Sequence, residues 1–183
     1  MEDGRLAKTE KRLIVQLIPK TAWGFNLRKI LTKSQWDRVR RKCYKEAGYV
    51  CEVCGKKGHK HPVECHELFE FDAKNKKITL VGLIALCPEC HKSCHPGRCN
   101  AQGREVYLRA RKNLALVNGL TVGQAEEYYR KCFDEWQTLS QVEEWSIDTS
   151  WLDTYLEDLD NGQNGRRQTC SDFLLHQLEG SLL

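Results

Sequence analysis

The sequence of 183 residues contains no run of about 18 apolar residues, which is the length that a membrane-spanning helix needs. No apolar segment follows Met1 either, because the chain opens with the charged stretch Met-Glu-Asp-Gly-Arg. Internal repeats and low-complexity tracts are also lacking. We therefore expect no membrane partner and no secretory signal, and instead one cytoplasmic domain with appendages.

Cysteine, by contrast, is abundant, with ten residues. In a secreted chain of this size they would suggest disulfides, but without an apolar leader they favour metal thiolates in a reducing compartment. Four of them form two CxxC pairs, Cys51 with Cys54 and Cys87 with Cys90. Each pair closes a tight turn that places two sulfurs on one tetrahedral ion. These residues predict a structural Zn²⁺ site, and the alternative is a set of free buried thiols.

The net charge of +4 conceals a strong asymmetry along the chain. Residues 1–62 carry 16 Lys and Arg against 6 Asp and Glu, residues 63–123 carry 9 against 6, and residues 124–183 carry 4 against 13. The net charges are +10, +3 and −9. A basic front favours a polyanionic partner, while the acidic rear could face solvent, shield a site or meet a protein. The alternative is that charged helices are simply solvated.

The N-terminal part carries one strand signal and one helix signal. Residues 12–18 are apolar enough to form a strand. Thr32 and Gln35 match a capping box, and the helix that they start ends at Gly48. Its apolar stripe is formed by Trp36, Val39, Cys43 and Ala47. The rest of the helix turns a basic face outward, where we predict phosphate contacts by Arg38, Arg40, Arg41, Lys42 and Lys45.

A β-hairpin is predicted after the first CxxC pair, with strands at 62–71 and 77–86. Further helices are expected at 104–117 and after a capping box at Thr121. The buried face of the second is predicted to comprise Ala125, Tyr128, Cys132, Trp136 and Leu139. These features divide the chain into four parts. They are an N-terminal strand and basic helix at 1–48, a metal-binding core at 49–98, a helical extension at 99–160, and a linker with a short amphipathic tail at 161–183. The tail could dock on its own domain, on a second copy of the chain or on a protein partner.

A second group of metal ligands accompanies the CxxC pairs. His91 and His95 are four residues apart, so a helix starting at Cys90 presents both imidazoles on one face. Cys65 and His66 lie between the two pairs, on the first predicted strand. This arrangement indicates a second metal site.

A hairpin followed by a helix, with one histidine on the first strand and two on the helix, resembles the HNH endonuclease family. The resemblance is to the subgroup that adds a four-cysteine zinc knuckle, and it covers residues 49–98. The matching stretches are Cys51 to Cys54, Cys65-His66 and Leu86 to His95. It implies an α+β fold in which a small ββα-metal core with a structural zinc knuckle is flanked by several α-helices.

The resemblance also implies roles for single residues. His66 matches the family's general base, which takes a proton from the water that attacks the scissile phosphate. His91 and His95 match two ligands of one catalytic divalent ion, for which we consider Mg²⁺, Mn²⁺, Zn²⁺, Ni²⁺ and Co²⁺. The ion stabilises charge that develops on the phosphate and on the leaving oxygen.

Two positions depart from the family pattern. Cys65 stands where the family has His or Asp as a metal ligand, and a thiolate there would favour Zn²⁺, Ni²⁺ or Co²⁺ over Mg²⁺. Glu64 or Glu67 could replace it. The family's middle Asn, which fixes the loop before the second CxxC pair, would fall near Gly82 and is missing.

Two functions are therefore compatible with the sequence. The first is a metal-dependent endonuclease that hydrolyses phosphodiester bonds of double-stranded DNA. Its backbone contacts would come from the basic helix and from the loop lysines Lys56, Lys57 and Lys60. Sequence preference would be low or supplied by a partner, because no separate recognition module is present. The alternative is a catalytically inactive, zinc-stabilised nucleic-acid-binding or adaptor protein with the same fold, which the departures at Cys65 and Gly82 favour.

Overall fold

The computed structural model describes residues 11–160, with side chains described to residue 157. Within this range the chain has an α+β fold, as expected. The helices are α1 Leu27–Ile30, α2 Lys33–Glu46, α3 Pro88–Ser93, α4 Pro96–Ala101, α5 Arg104–Asn118, α6 Val122–Leu139 and α7 Trp151–Asp160. The strands are β1 Glu64–Asp72, β2 Lys77–Leu86 and β3 Ser146–Asp148. The predicted linker and tail at 161–183, and the docking of a second copy there, lie outside the described residues.

The predicted hairpin is present as the antiparallel pair β1–β2, and β3 adds to β2 in parallel. Its register pairs Cys65 with Ala85 and His66 with Ile84, and it shifts after Leu68. Because successive side chains of a strand point to opposite faces, Cys65 and His66 lie on opposite sides of the sheet.

The sheet separates two hydrophobic clusters. One face carries Leu68 and Ile84, which pack with buried side chains of α5 and α6. The other face carries Cys65 and Phe69, which pack with buried side chains of α2 and α7. His66 belongs to the first face, where it lies beside Leu68 and Ile84. A side chain of β1 therefore packs against α5 and α6 if it lies on the first face, and against α2 and α7 if it lies on the other.

The basic helix α2 begins at the predicted capping box. Thr32 Oγ1 accepts a hydrogen bond from the backbone N–H of Gln35 at 3.3 Å, and Gln35 Oε1 accepts one from the N–H of Thr32 at 2.9 Å. Two free N–H groups of the first turn are satisfied in this way. Trp36, Val39 and Cys43 are buried against the sheet, which confirms the predicted stripe at these positions.

Lys42 corrects one expectation for α2. Its side chain is buried instead of facing outward, forms an ion pair with Glu46 at 3.4 Å and lies 4.3 Å from the ring centroid of Tyr155. The packing of α7 against this part of α2 keeps the ammonium away from any phosphate. Arg40 is half-buried and paired with Asp37 at 2.7 Å. The predicted phosphate contacts of α2 that are exposed are Arg38, Arg41 and Lys45.

Residues 12–18 do not form the predicted strand, although Leu13 and Val15 are buried. Side chains of distant helices satisfy their backbone instead of a neighbouring strand. Asn118 accepts from the N–H and donates to the C=O of Leu13, both at 2.8 Å. The N–H of Val15 donates to the hydroxyl of Tyr128 at 3.2 Å. The apolar pattern of residues 12–18 therefore predicted their burial correctly. It was wrong in predicting hydrogen bonds to a neighbouring strand.

Gln16 joins this extended segment to the sheet. Its side-chain amide donates to the C=O of Phe69 and accepts from the N–H of Phe69, the latter at 3.0 Å. Since β1 is an edge strand, one side chain replaces a neighbouring strand at the point where the register shifts.

The helical hairpin α5–α6 packs behind the histidine face of the sheet. α5 ends at Gly119, whose φ of 67° favours glycine, and α6 begins at the predicted capping box of Thr121. The fully buried aromatic side chain of α6 is Tyr129, whereas Tyr128 and Trp136 are half-buried and hydrogen-bond the extended segment. Between residues 11 and 160, the longest helices are too polar to cross a bilayer.

Candidate metal centres

Cys51, Cys54, Cys87 and Cys90 come together as the sequence predicted. Their four sulfur atoms all lie within 4.8 Å of one another, and the sulfurs of Cys54 and Cys87 are 3.6 Å apart. Zinc–sulfur bonds of about 2.3 Å at tetrahedral angles place ligand sulfurs about 3.8 Å apart. The four thiols therefore have the composition and the spacing of a structural zinc site.

Local backbone geometry forms both CxxC turns. The N–H of Gly55 donates to the C=O of Cys51 at 2.8 Å, and Gly55 has a φ of 70°, which disfavours any side chain there. The second pair spans the start of α3, where Pro88 occupies the first turn. Each turn thus directs two sulfurs to one point.

Glu52 fastens the first CxxC turn to the end of β2. Its N–H donates to the C=O of Ala85 at 3.0 Å, and its carboxylate accepts from the N–H of Ala85 at 2.7 Å. The carboxylate also pairs with Lys11 at 2.8 Å. Because Ala85 lies two residues before Cys87, Glu52 holds the two CxxC turns together. No motif in the sequence assigned this role to Glu52.

Asn113 of α5 supports the second CxxC pair from the other side. Its amide donates to the hydroxyl of Ser93 at 3.0 Å and lies 3.7 Å from the sulfur of Cys90. The Ser93 hydroxyl in turn reaches the C=O of Ala110 at 3.0 Å. An N–H donor next to a ligand sulfur orients it and stabilises its thiolate form. The sequence did not predict this role of Asn113 either, because its hydrogen-bond partner Ser93 lies on another helix.

Hydrogen bonds among three of the thiols shift their pKa values in opposite directions. Those from Cys87 and Cys90 hold the pKa of Cys51 below its usual range, and the bond to Cys51 raises the pKa of Cys87 to about 12. Since a metal needs all four sulfurs deprotonated, its binding releases protons and is favoured by higher pH.

His66, His91 and His95 form a second cluster. Their ligand nitrogens lie within 4.8 Å of one another, and the ring centroids are 4.9 to 5.1 Å apart. The Nε2 atoms of His91 and His95 are 3.2 Å apart. The two residues do not share the single helix that the sequence predicted, because α3 ends at Ser93 and His95 directly precedes α4. Tetrahedral ligands at about 2.0–2.1 Å from an ion place their nitrogens about 3.4 Å apart. The His91 and His95 nitrogens are therefore at the spacing of two ligands of one ion.

The carboxylate of Glu64 fixes the ring of His91. It lies within hydrogen-bonding distance of Nδ1 of His91, and Nε2 of the same ring is turned toward Nε2 of His95. Carboxylates commonly hold metal-binding imidazoles in this way. Cys90 and His91 are consecutive residues of α3, so the two clusters adjoin along the chain.

Burial controls the protonation of this cluster. It lowers the pKa of His66 well below the usual range, and the neighbouring His95 and His91 add to the effect. Burial is also the main reason that the pKa of His95 falls to about 4, with further contributions from His91 and Arg98. His66 and His95 are therefore neutral at pH 7. Each retains an unprotonated ring nitrogen that can bind a cation or accept a proton.

Cys65 does not join the histidine cluster, which corrects the expectation that it is a ligand. It is buried on the opposite face of the sheet, in the hydrophobic cluster that includes Cys43. Of the two carboxylates considered in its place, Glu67 accepts from the N–H of Leu27 at 3.3 Å. Glu64 lies with the histidines but binds His91 rather than facing the ligand nitrogens.

A cleft of about 1030 Å³ is lined by residues of both CxxC pairs and by Glu64, which contacts His91. We call it the cationic cleft, because its lining includes the loop lysines predicted to bind phosphate and two further cations that the sequence did not single out. These five residues are Lys11, Arg12, Lys56, Lys57 and Lys60. Arg12 also borders the small cavity next to His66. The exposed cations of α2 lie beyond the other face of the sheet, so the structure does not bring them to the histidines.

Comparisons with protein-family models, with curated proteins and with solved structures give no match for this chain. Function is therefore inferred from the two clusters and from the charge around them.

Proposed function

We propose that the chain is a metal-dependent endonuclease of the HNH type, which hydrolyses DNA phosphodiester bonds at the histidine cluster. One observation carries this proposal. Three imidazoles, His66 of β1, His91 of α3 and His95 just before α4, converge within 4.8 Å, and Glu64, which contacts His91, lines a cleft that carries five cations in the described part of the chain. Such a cluster provides metal ligands and a proton acceptor, while the cations attract a phosphate backbone.

His91 and His95 would hold one divalent ion. Their nitrogens have the required spacing, and Glu64 orients His91. A bound ion would supply a Lewis acid that stabilises negative charge on the phosphate and on the leaving oxygen. Imidazole nitrogen suits Zn²⁺, Ni²⁺ or Co²⁺ better than Mg²⁺ or Mn²⁺. The proposed preference therefore rests on nitrogen ligands and no longer on the sulfur of Cys65.

His66 is the proposed general base, which takes a proton from the attacking water. It comes from β1, whereas His91 lies on α3 and His95 directly before α4, and its ring meets both edge to face at 5.1 Å. The rival assignment makes His66 the third ligand of the same ion, as in sites with three histidines. The two roles are separable, because loss of a ligand weakens metal binding whereas loss of a base slows the reaction.

The four cysteines are proposed to hold a structural Zn²⁺. This ion would tie the first CxxC turn to the start of α3, and α3 carries His91 directly after Cys90. The structural ion thereby positions the helix of the histidine cluster.

A second candidate function is a zinc-stabilised nucleic-acid-binding or adaptor protein that does not cleave. Two observations favour it. Cys65 is absent from the histidine face, and Gly82, where the family's Asn would fall, pairs with Leu68 inside the hairpin. This candidate predicts salt-dependent DNA binding without hydrolysis.

Plasmid cleavage tests the proposal. The full chain should nick or cut plasmid DNA with at least one of Zn²⁺, Ni²⁺, Co²⁺, Mn²⁺ or Mg²⁺, and His66→Ala should not, while binding DNA as well as the wild type does. The matched control is Cys65→Ala, which alters the adjacent position of β1 on the other face and should cut normally. Absence of cleavage by the wild type with every ion, on double- and single-stranded DNA, would reject the endonuclease.

A further inference from the structure

The cationic cleft combines two kinds of lining. It carries five cations, of which Lys11 is paired with Glu52, and the described residues that line it include only two carboxylates, Glu64 and Glu89. Its lining also includes the apolar side chains of Leu116 and Val117 of α5, which we call its apolar wall. A polyanion that also presents apolar surface complements both kinds of lining at once.

Leu116 is the clearest sign of a ligand with apolar surface. Its side chain is 72% exposed, although it is a large aliphatic residue on a helix with a buried face available. Among the residues described, no other element covers it. In duplex DNA the base faces are stacked inside, so a duplex offers this wall little to contact. An unpaired strand exposes its bases next to its phosphates.

The size of the cleft points the same way. A volume of about 1030 Å³ lies near the upper end of the roughly 300–1,000 Å³ that pockets for small ligands occupy. It therefore fits a few nucleotides of one strand rather than a double helix. Glu64 lines the cleft and contacts His91, so a strand that reaches Glu64 in the cleft approaches the histidine cluster.

We propose that the cationic cleft binds an unpaired strand of nucleic acid, with phosphates toward the lysines and bases against the wall of Leu116. This inference deepens the proposed function, on which its last step rests: the strand leads to the bond that is cut. DNA with an unpaired segment next to the cleavage site is then the preferred substrate over continuous duplex.

Binding of labelled oligonucleotides by the full chain tests the proposal without relying on cleavage. The probes are a fluorescent oligothymidine, a duplex of the same length and an oligothymidine in which the bases are replaced by abasic sites. The wild type should bind oligothymidine more tightly than the duplex and more tightly than the abasic strand. Equal or tighter binding of the duplex would overturn the proposal.

Two variants with equal change of charge locate the site. Lys57→Glu with Lys60→Glu should weaken oligothymidine binding about tenfold or more and reduce the slope of log affinity against log salt by about 1.4, since each phosphate contact contributes about 0.7 on a single strand. Lys74→Glu with Lys76→Glu, two exposed lysines of the turn between β1 and β2 that do not line the cleft, should have little effect. If the second pair weakens binding as much as the first, the cleft is not the site.

Leu116→Ala separates the bases from the phosphates. It should weaken binding of oligothymidine about fivefold and leave binding of the abasic strand unchanged, because only the former places bases on the apolar wall. An equal effect on both probes, or none on oligothymidine, would contradict the proposal. Since Leu116 is exposed, this variant should fold as the wild type does.

The outcome is distinguishable from that of the endonuclease. Strand binding in the cleft with no cleavage under any condition rejects the endonuclease and keeps the cleft. Cleavage of continuous duplex at the same rate by the wild type and by the cleft variants rejects the cleft and keeps the endonuclease.

Discussion

Glu64 of β1 and His91 of α3 are joined by a hydrogen bond between the carboxylate and Nδ1, so the hairpin orients a nitrogen on the helix. Without this contact the His91 ring could rotate or change its tautomer, and Nε2 would no longer face His95. The geometry of the candidate metal site thus depends on a strand residue that is not itself one of its ligands.

Removing this contact should weaken metal binding at the histidine cluster. For Glu64→Ala we expect about 10- to 100-fold lower affinity for the second ion, measured by competition with a chelating dye after the cysteine site is filled. Glu89→Ala is the control, because this carboxylate on α3 pairs with Lys92 and not with a histidine. Unchanged affinity in Glu64→Ala would show that His91 needs no orienting partner.

His66→Ala and His91→Ala should affect different properties, the first the cleavage rate and the second the affinity for the metal ion. If His66 is the base, its loss abolishes cleavage while the affinity for the second ion stays within about threefold of the wild type. Loss of His91 should lower that affinity, so added metal should partly restore cleavage. Metal titrations and cleavage rates of both variants decide the matter. A large loss of metal affinity in His66→Ala would make His66 the third ligand.

Zinc at the four cysteines should account for much of the stability. A structural zinc site contributes on the order of 10 kcal/mol in small modules, which compares with a net domain stability of roughly 5–15 kcal/mol. Elemental analysis should find one tightly bound zinc in the wild type, and Cys51→Ser should lose it together with a large drop in melting temperature. Cys132→Ala, a buried thiol outside the cluster, should retain the zinc. A stable, metal-free Cys51→Ser protein would contradict this expectation.

The ion preference should not depend on Cys65. Because this residue lies on the far face of the sheet, Cys65→Ala should keep the same order of activity among Zn²⁺, Ni²⁺, Co²⁺, Mn²⁺ and Mg²⁺ as the wild type. Cleavage assays across the five ions provide the measurement. A changed order would place the sulfur in the site after all.

Gln16 should stabilise the edge of the sheet measurably. Gln16→Ala removes both hydrogen bonds to Phe69 and leaves these backbone groups without their partner, so we expect a loss of about 1–3 kcal/mol in urea unfolding. The control is Gln141→Ala. Gln141 is exposed, and its side-chain amide donates to the C=O of Gln137, so its loss should lower the free energy of unfolding by less than about 0.5 kcal/mol. Equal costs would mean that the edge of β1 is satisfied in another way.

The features that the sequence predicted correctly depend on local spacing. The CxxC turns, the capping boxes at Thr32 and Thr121 and the strand at Lys77–Leu86 involve residues a few positions apart, where spacing determines geometry. The extended segment at 12–18 shows the limit. Its partners Asn118 and Tyr128 follow more than 100 residues later, and no local pattern reports them.

Cys65 is a different kind of error. Adjacent residues of a regular strand face opposite sides, and β1 is regular at Cys65 and His66, so their side chains lie on opposite faces of the sheet. The family pattern, which has a ligand next to the base, did not predict that the strand is regular at this point. Glu52, Asn113 and Arg12, in contrast, acquire their places only through tertiary packing.

The direct succession of Cys90 and His91 would, on the proposed function, link cleavage to the supply of one element. If zinc at the cysteines is needed to hold the start of α3, the histidines do not assemble in its absence, whichever ion they bind themselves. A cell short of zinc would then hold an inactive protein even with nickel or cobalt in excess. For the same reason, a strong chelator would act on cleavage through the cysteines as well as through the histidines.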